Sequence, residues 1–228
     1  MEKIAHELKK PFVCTAVRAV GTLKPEFNPE VKSFIPPQLK VRGTGFWLKH
    51  SEAFITCAHV VADIAQAPIE LSGMLVVGGN GADYLKAVIS VLDFMHDLAV
   101  LHVEGSEEFL KEQSDQGFEL INKSLSVGEE VAYAGFPFGN LLLNEKHTPT
   151  YSEGVIGTDV FAGDGPKFIQ ISGSIAGGYS GAPIVLKSNP SKVLAVVSNS
   201  PTEEVGVAGI FRGIHYSHIE RILDLIKS

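Results

Sequence analysis

The chain of 228 residues contains little cysteine: Cys14 and Cys57 are its only two. Secreted domains of moderate size often depend on several disulfide bonds, and a framework of that kind is excluded here. Both cysteines lie in apolar, strand-like runs, so we expect buried free thiols. The sequence also lacks a run of about 18 apolar residues, and it therefore predicts no membrane-spanning helix.

Clusters of basic residues are missing as well. The 19 Lys and Arg residues are outnumbered by 26 Asp and Glu, which gives a net charge of −7. This balance argues against nucleic acids and anionic membrane surfaces as partners. Residues 1–10 carry charges throughout and have no apolar centre, unlike a secretory signal peptide. For the sequence as it stands we expect a cytoplasmic protein.

What the chain does contain is the material for a globular β-protein. Hydrophobic residues make up 45% of the sequence, which is enough for a sizeable core. Its 23 glycines and 12 prolines separate short apolar runs, a pattern typical of many short strands joined by turns. The length fits one domain or two closely packed subdomains.

The most informative segment is residues 177–183, GGYSGAP. It sets Ser180 among glycines, directly before an apolar run. Glycines allow a tight turn and a close approach to a substrate. Successive amide N–H groups of such a turn can converge on one point, which suits a developing oxyanion. Many turns of this composition have no catalytic role, so the segment needs support from elsewhere in the chain.

Two upstream segments supply that support. In residues 54–61, FITCAHVV, an apolar run leads to His59, and in residues 96–101, HDLAVL, Asp97 opens another apolar run. A serine hydroxyl needs a base within about 3 Å, imidazole has an ordinary pKa near ~6.5, and a carboxylate can orient it. Singly, these residues are explained as a structural histidine, a strand cap and a turn serine. Together, in the order His, Asp, Ser, they favour nucleophilic catalysis.

With these segments the chain resembles the trypsin-like serine peptidases of the chymotrypsin fold, and most closely the bacterial Deg-type branch. The similarity extends from about Gly43 to the C-terminus. The matching segments are residues 56–61, residues 97–101, the GFPFG turn at 135–139, and FIQ at 168–170 followed by residues 178–183.

The resemblance implies an all-β fold of two six-stranded antiparallel β-barrels with a C-terminal α-helix. We expect an N-terminal helix or tail (1–10), a first barrel (11–110), a connection (111–126), a second barrel (127–216) and the helix (217–228). The proline-rich residues 22–40 predict a long irregular loop. A short helix is expected after His59. Apolar residues at helical spacing support the C-terminal helix, and Ser217 with Glu220 predicts a capping box.

The resemblance also assigns roles at the site. Ser180 is the expected nucleophile, His59 its general base, and Asp97 the residue that orients His59. The backbone N–H groups of Gly178 and Ser180 are the expected oxyanion hole. No cofactor is expected. No metal site is expected either, because the His-x-x-x-His and Cys-x-x-Cys patterns are missing, and His96 and Asp97 are adjacent and would point to opposite faces of a strand.

The specificity pocket follows from the same resemblance. Ser174 corresponds to its base, and Ser198, Asn199 and Ser200 form its wall. Since Ser174 is uncharged and Ser200 narrows the entrance, we expect small or medium uncharged side chains before the cut bond, rather than Arg or Lys. The backbone of residues 198–200 is expected to pair with an extended polypeptide substrate.

The sequence departs from the family pattern beside the nucleophile. Tyr179 stands where the family usually has Asn or Asp, and Ala182 replaces the second glycine. A tyrosine cannot form the ion pair by which digestive members bind a newly freed N-terminus, so we do not expect activation by N-terminal cleavage. No PDZ-like domain follows in this sequence.

Three functions remain open at this point. The first is a serine endopeptidase of cytosolic polypeptides. The second is a catalytically silent module that clamps an extended peptide. The third is a processing protease restrained until a regulatory protein or peptide remodels mobile loops, for which residues 22–40 and 161–167 are the candidates.

Overall fold

The structure, a computed structural model, describes residues 14–20, 26–28, 33–35, 40–66, 74–78, 85–137, 149–158, 166–198 and 209–227. The elements within these residues are, in chain order, β1 (Cys14–Val20), β2 (Glu26–Asn28), β3 (Ser33–Ile35), β4 (Lys40–Trp47), β5 (Phe54–Thr56), α1 (Ala58–Gln66), β6 (Met74–Gly78), β7 (Leu85–Asp93), β8 (Leu98–Val103), α2 (Glu107–Gln116), β9 (Glu119–Leu120), β10 (Glu130–Gly135), β11 (Thr150–Ile156), β12 (Phe168–Gly173), β13 (Pro183–Leu186), β14 (Asn189–Val197), β15 (Ile210–His215) and α3 (Tyr216–Lys227).

The first half of the chain forms a closed antiparallel barrel. Its strand order is β1-β4-β5-β8-β7-β6, with β6 pairing back onto β1. β5 is buried throughout, and β8 is buried except at His102. Strands of this kind read as nearly continuous apolar runs because one face fills the barrel and the other is covered by neighbouring elements.

The second half forms a seven-stranded sheet in the order β13-β10-β11-β12-β15-β14-β9. An additional pairing of β13 with β14 closes six of these strands into a ring, and the short β9 adds to β14 in parallel. Together with the first barrel and the C-terminal helix, this confirms the predicted fold of the trypsin type.

One local prediction was wrong, and one helix was not predicted. Within the segment predicted as an irregular loop, β2 and β3 pair as antiparallel strands. The polar connection between the barrels contains helix α2, whose first turn is capped by the Ser106 side chain and carries Glu107 and Glu108; this arrangement satisfies free N–H groups and the helix dipole.

The C-terminal helix begins one residue before its predicted start and packs its apolar face inward. Ile219 and Ile222 are fully buried. The expected capping box is absent from these described residues, because Ser217 already lies within the first turn. Its backbone N–H donates instead to Nδ1 of His215 at 3.3 Å. No helix among the described residues combines the length and apolarity that crossing a membrane requires.

Buried polar side chains join the two barrels where β4 meets the second sheet. The Thr44 hydroxyl donates to the carbonyl of Gly178 at 2.7 Å and accepts from the N–H of Phe136 at 3.2 Å. The Thr56 hydroxyl donates to the carbonyl of Thr44 at 2.7 Å. Because buried hydrogen bonds of this kind are costly to break, they hold the segment around residue 178 in a fixed position against the first barrel.

Candidate active site

His59 lies at the start of α1, immediately after the buried strand β5. Its neighbours Val60 and Val61 are buried, whereas the His59 side chain is 36% exposed. The apolar run therefore anchors the helix to the barrel, and the helical geometry turns the imidazole toward the surface between the barrels.

Asp97 lies on the turn between β7 and β8, with a backbone φ of +52°. Aspartate adopts this left-handed conformation more readily than most residues. The Asp97 carbonyl accepts from the N–H of Ala58 at 3.1 Å, and its Oδ1 accepts from the N–H of His59 at 3.0 Å. The turn is thus bonded directly to the first residues of α1.

The Asp97 carboxylate contacts the imidazole of His59 on one side only. Nδ1 of His59 lies 2.9 Å from both carboxylate oxygens. A proton on Nδ1 is therefore favoured in the neutral ring, and Nε2 is the nitrogen left to act as a base.

A third group completes this arrangement. The Ser198 hydroxyl donates to Oδ2 of Asp97 at 2.7 Å. Burial by itself raises the pKa of Asp97, but the hydrogen bonds from His59 and Ser198 outweigh it, and the pKa lies below its ordinary value of 3.8. The carboxylate therefore stays charged at neutral pH and can stabilise a protonated imidazole.

Ser180 lies on the turn between β12 and β13, where two positions require glycine. Gly178 and Gly181 have φ values of +106° and +88°. A Cβ atom at Gly178 would lie 2.0 Å from the carbonyl oxygen of Phe136, and one at Gly181 would lie 2.0 Å from that of Thr44. Both close approaches are open to glycine alone, so these residues fix the path of the chain on either side of the serine.

This turn lies against the helix that carries His59. The Ser180 carbonyl accepts from the N–H of Thr44 at 2.8 Å. A Cβ atom at Gly43 would lie 2.7 Å from both the Ser180 carbonyl oxygen and Cγ2 of Val60. The structure thus brings the Ser180 backbone next to the residue after His59. Among the described residues, no hydrogen bond joins the Ser180 hydroxyl to the His59 imidazole.

The backbone amides of the turn fall into two groups. Tyr179 donates to the carbonyl of Ala176 at 3.2 Å, Gly181 to that of Val197 at 2.8 Å, and Ala182 to that of Tyr179 at 2.8 Å. Within the described part of the chain, the amides of Gly178 and Ser180 have no hydrogen-bond acceptor. These two amides are the ones that the resemblance predicted as the oxyanion hole.

The predicted pocket residues have different positions. Ser174 is exposed, and its carbonyl accepts from the Tyr133 hydroxyl at 2.7 Å. Ser198 is buried and uses its hydroxyl to hold Asp97, a role that the sequence did not predict. The partners are 101 residues apart, and no local pattern connects them. Asn199 and Ser200 lie outside the described residues.

Cys57 adds a thiol to the neighbourhood. Ligand atoms of Cys57, His59 and Asp97 lie within 4.8 Å of one another. Burial, followed by the charge of Asp97, raises the pKa of the Cys57 thiol, which donates to the carbonyl of Val197 at 3.2 Å. A metal ion needs the thiolate form, so this environment disfavours Cys57 as a ligand.

Comparison with known proteins identifies the family of the chain. A family model described as the trypsin-like peptidase domain matches residues 43–196. The chain belongs to the trypsin-like peptidase family. This confirms the resemblance to the trypsin-like peptidases, whereas the closer similarity to the Deg-type branch stays a prediction. The matched range contains His59, Asp97 and Ser180.

A curated relative of this trypsin-like domain is the uncharacterized protein y4bJ of Sinorhizobium fredii (strain NBRC 101917 / NGR234). It is 27% identical over 158 residues, which cover 69% of the chain and 22% of the relative. The chain thus spans about a fifth of the length of the curated relative it matches.

Proposed function

We propose that this trypsin-like domain is a serine endopeptidase in which Ser180, His59 and Asp97 hydrolyse peptide bonds through an acyl-enzyme. The observation that carries the proposal is the hydrogen-bonded set of His59, Asp97 and Ser198. This set directs Nε2 of a half-exposed imidazole away from its carboxylate, while the Ser180 carbonyl and Val60, the residue after His59, both border Gly43.

The reaction follows from these positions. The Ser180 hydroxyl attacks the substrate carbonyl carbon as Nε2 of His59 removes its proton, and Asp97 stabilises the resulting imidazolium. The negative charge formed on the carbonyl oxygen is accepted by the N–H groups of Gly178 and Ser180. His59 then returns its proton to the leaving amine. A water molecule, deprotonated by the same imidazole, releases the acyl group and restores Ser180.

One contact has to form for this reaction. The Ser180 hydroxyl must reach hydrogen-bond distance of Nε2 of His59. Such contacts are often long in ligand-free enzymes and shorten when substrate is bound. A rotation of the serine side chain about χ1 changes the position of its hydroxyl without moving the backbone that Thr44 and the glycines hold.

Replacing the nucleophile is the decisive test. In Ser180→Ala, we expect kcat to fall by a factor of about 10⁶, because the members of such a triad act as a unit. Wild-type protein should react stoichiometrically with a fluorophosphonate probe at Ser180, and the variant should not react. Circular dichroism and a thermal melt would show that the variant is folded.

Two results would contradict the proposal. Activity of Ser180→Ala within about tenfold of wild type, in protease-free material, would remove Ser180 as the nucleophile. A folded wild-type protein that binds an extended peptide, yet neither cleaves it nor reacts with the probe, would identify the domain as a peptide-binding module.

Specificity is proposed from Ser174, which is exposed and uncharged at the expected base of the pocket. We expect substrates with Ala, Val or Thr before the cut bond to have higher kcat/KM than matched substrates with Arg or Lys. A library of peptides that differ only at this position measures the preference. Dominance of basic residues in the profile would show that the pocket is assigned to the wrong residues.

A further inference from the structure

Tyr179, directly before the nucleophile, is buried in the second barrel, with 3% of its surface exposed. Its ring contacts Tyr133 edge-on, with centroids 5.5 Å apart. Its hydroxyl lies 2.7 Å from Oγ of Ser152 and 3.4 Å from the carbonyl oxygen of Thr150. The residue before Ser180 is thus attached to β11 by a polar contact at the end of a packed aromatic ring.

The partners of Tyr179 lie on paired strands of the sheet. Ser152 is opposite Tyr133 in the antiparallel pair of β10 and β11. At Gly135, on β10, a Cβ atom would lie 2.8 Å from Cδ1 of Tyr179. The glycine therefore leaves the space that the ring occupies, and in this position the ring is both packed and hydrogen-bonded.

The backbone of Tyr179 connects this anchor to the proposed oxyanion hole. Its N–H donates to Ala176 and its carbonyl accepts from Ala182, which closes the turn on both sides. The N–H of Ser180 belongs to the peptide group that Tyr179 begins, and Gly178 precedes it directly. A rotation of the Tyr179 backbone would therefore change the direction of the oxyanion donors.

We propose that Tyr179 is a positioning residue: its hydroxyl, bonded to Ser152, holds the turn so that the N–H groups of Gly178 and Ser180 point at the developing oxyanion. This role rests on the proposed peptidase function. It replaces the ion pair to a freed N-terminus with an uncharged anchor that is present in the intact chain.

The energetic reason is the cost of leaving a buried hydroxyl without a partner. Leaving a buried polar group unsatisfied is unfavourable, and buried tyrosine hydroxyls usually find a partner for this reason. A turn that rotated away from the competent arrangement would break the contact with Ser152 and withdraw the ring from Tyr133. The packed barrel thus favours the arrangement in which both donors are available.

Tyr179→Phe tests the role because it removes the hydroxyl and keeps the ring. We expect kcat to fall by about 10–100-fold, since small misplacements of catalytic groups and the loss of oxyanion donors have effects of this size. KM should stay within about twofold, and the rate of fluorophosphonate labelling should fall with kcat. Ser152→Ala should act in the same direction but more weakly, because the carbonyl of Thr150 remains.

Two comparisons separate positioning from general stability. The double variant Tyr179→Phe/Ser152→Ala should be no slower than Tyr179→Phe, because both changes remove one interaction. Tyr151→Phe is the matched control: its hydroxyl donates to Glu153 on the same strand, away from the turn. Its kcat and KM should equal those of wild type.

Amide hydrogen exchange provides a readout that does not require activity. In the Ser180→Ala background, Tyr179→Phe should accelerate exchange at Gly181 and Ala182 at least tenfold, while exchange in the centre of β13 and β14 stays unchanged. The positioning role would be overturned if Tyr179→Phe left exchange at Gly181 and Ala182 unchanged, if it left kcat unchanged, or if it accelerated exchange uniformly through the barrel. A wild-type protein without activity or labelling would instead overturn the peptidase function, while the exchange data would still show whether Tyr179 orders the turn.

Discussion

Two aspartate–histidine pairs lie close together in this molecule and have opposite surroundings. Asp97 holds His59 with Nδ1–Oδ2 at 2.9 Å, and Asp93 holds His96 with Nδ1–Oδ2 at 2.6 Å. Both aspartates belong to β7 and the turn that follows it. The His59 side chain is 36% exposed, whereas that of His96 is 7% exposed.

The neighbours of each pair explain the difference. The ring of His96 stacks on His218 of α3, with centroids 4.2 Å apart, so this pair connects the β7–β8 turn to the C-terminal helix. The pair of Asp97 and His59 instead accepts a hydrogen bond from Ser198, directly after β14, and leaves the imidazole partly exposed. The same two side chains thus form a packing contact where the imidazole is covered, and in the proposed mechanism they form a base where one ring nitrogen remains accessible.

Matched substitutions at the two aspartates should produce the largest contrast. Asp97→Asn should lower kcat by about 10⁴, because an amide can stabilise neither the required tautomer nor the imidazolium. Asp93→Asn should leave kcat within about tenfold and lower the free energy of unfolding by about 1 kcal/mol, the usual contribution of one hydrogen bond.

Steady-state kinetics and urea unfolding of both variants measure this contrast. Equal losses of kcat in two stably folded variants would show that the pairs do not differ in function. A collapse of stability in Asp97→Asn, with kcat retained, would reverse the assignment of the two pairs.

Ser198 distinguishes the pairs further, since its hydroxyl donates to Asp97. We expect Ser198→Ala to lower kcat about tenfold, as a hydrogen bond to a charged group contributes roughly 1.5–3 kcal/mol and Asp97 keeps its bonds to His59. Ser191→Ala, an exposed hydroxyl on β14 bonded to Asn189, is the matched control. If both variants keep wild-type kcat, Ser198 does not support Asp97 in catalysis.

The same substitution has a pH signature. The pKa of Asp97 is lowered in the folded protein, so its bonds add stability above its unfolded pKa, and this stability is lost as the pH falls through the folded pKa. Without the Ser198 hydroxyl the pKa of Asp97 should rise toward 3.8, so the stability that is lost between the unfolded and the folded pKa should become smaller. An unchanged acid transition would show that this bond does not contribute to the low pKa.

The sequence predicted the three residues of the proposed triad because each lies in a local pattern. His59, Asp97 and Ser180 each border an apolar strand, and the order of these segments selects the fold. Ser198 was assigned to the pocket wall, and its bond to Asp97 was missed because it depends on the closing of one barrel against the other.

The errors in secondary structure have a different cause. Prolines at residues 22–40 concealed the pairing of β2 with β3. Helix α2 has few apolar residues, so it lacked the periodic signal used elsewhere. Ser106 before two glutamates was a signal of a helix start that was present in the sequence.

The smallest effect is expected at His218, the residue that covers the second pair. Its Nε2 accepts from the N–H of Lys167 at 2.7 Å, so this nitrogen has to be unprotonated. Burial, followed by the charge of His96, lowers the pKa of His218 from 6.5 to about 4. Because the unfolded chain binds the proton more readily, this site stabilises the fold fully above pH 6.5 and less as the pH falls toward 4.

His218→Gln keeps a hydrogen-bond acceptor and removes the titration. The Tm of both proteins should fall between about pH 6.5 and 4.5. We expect this decrease to be about 2–4 °C smaller in the variant than in wild type. The dependence of Tm on pH should become weaker but not disappear, because burial also lowers the pKa of His215 to about 4. At pH 8, kcat should equal that of wild type, since His218 covers His96 and not His59. Parallel profiles of Tm against pH for the two proteins would show that protonation of His218 does not lower stability. A large loss of kcat at pH 8 would show that the pair of Asp93 and His96 also supports the pair of Asp97 and His59.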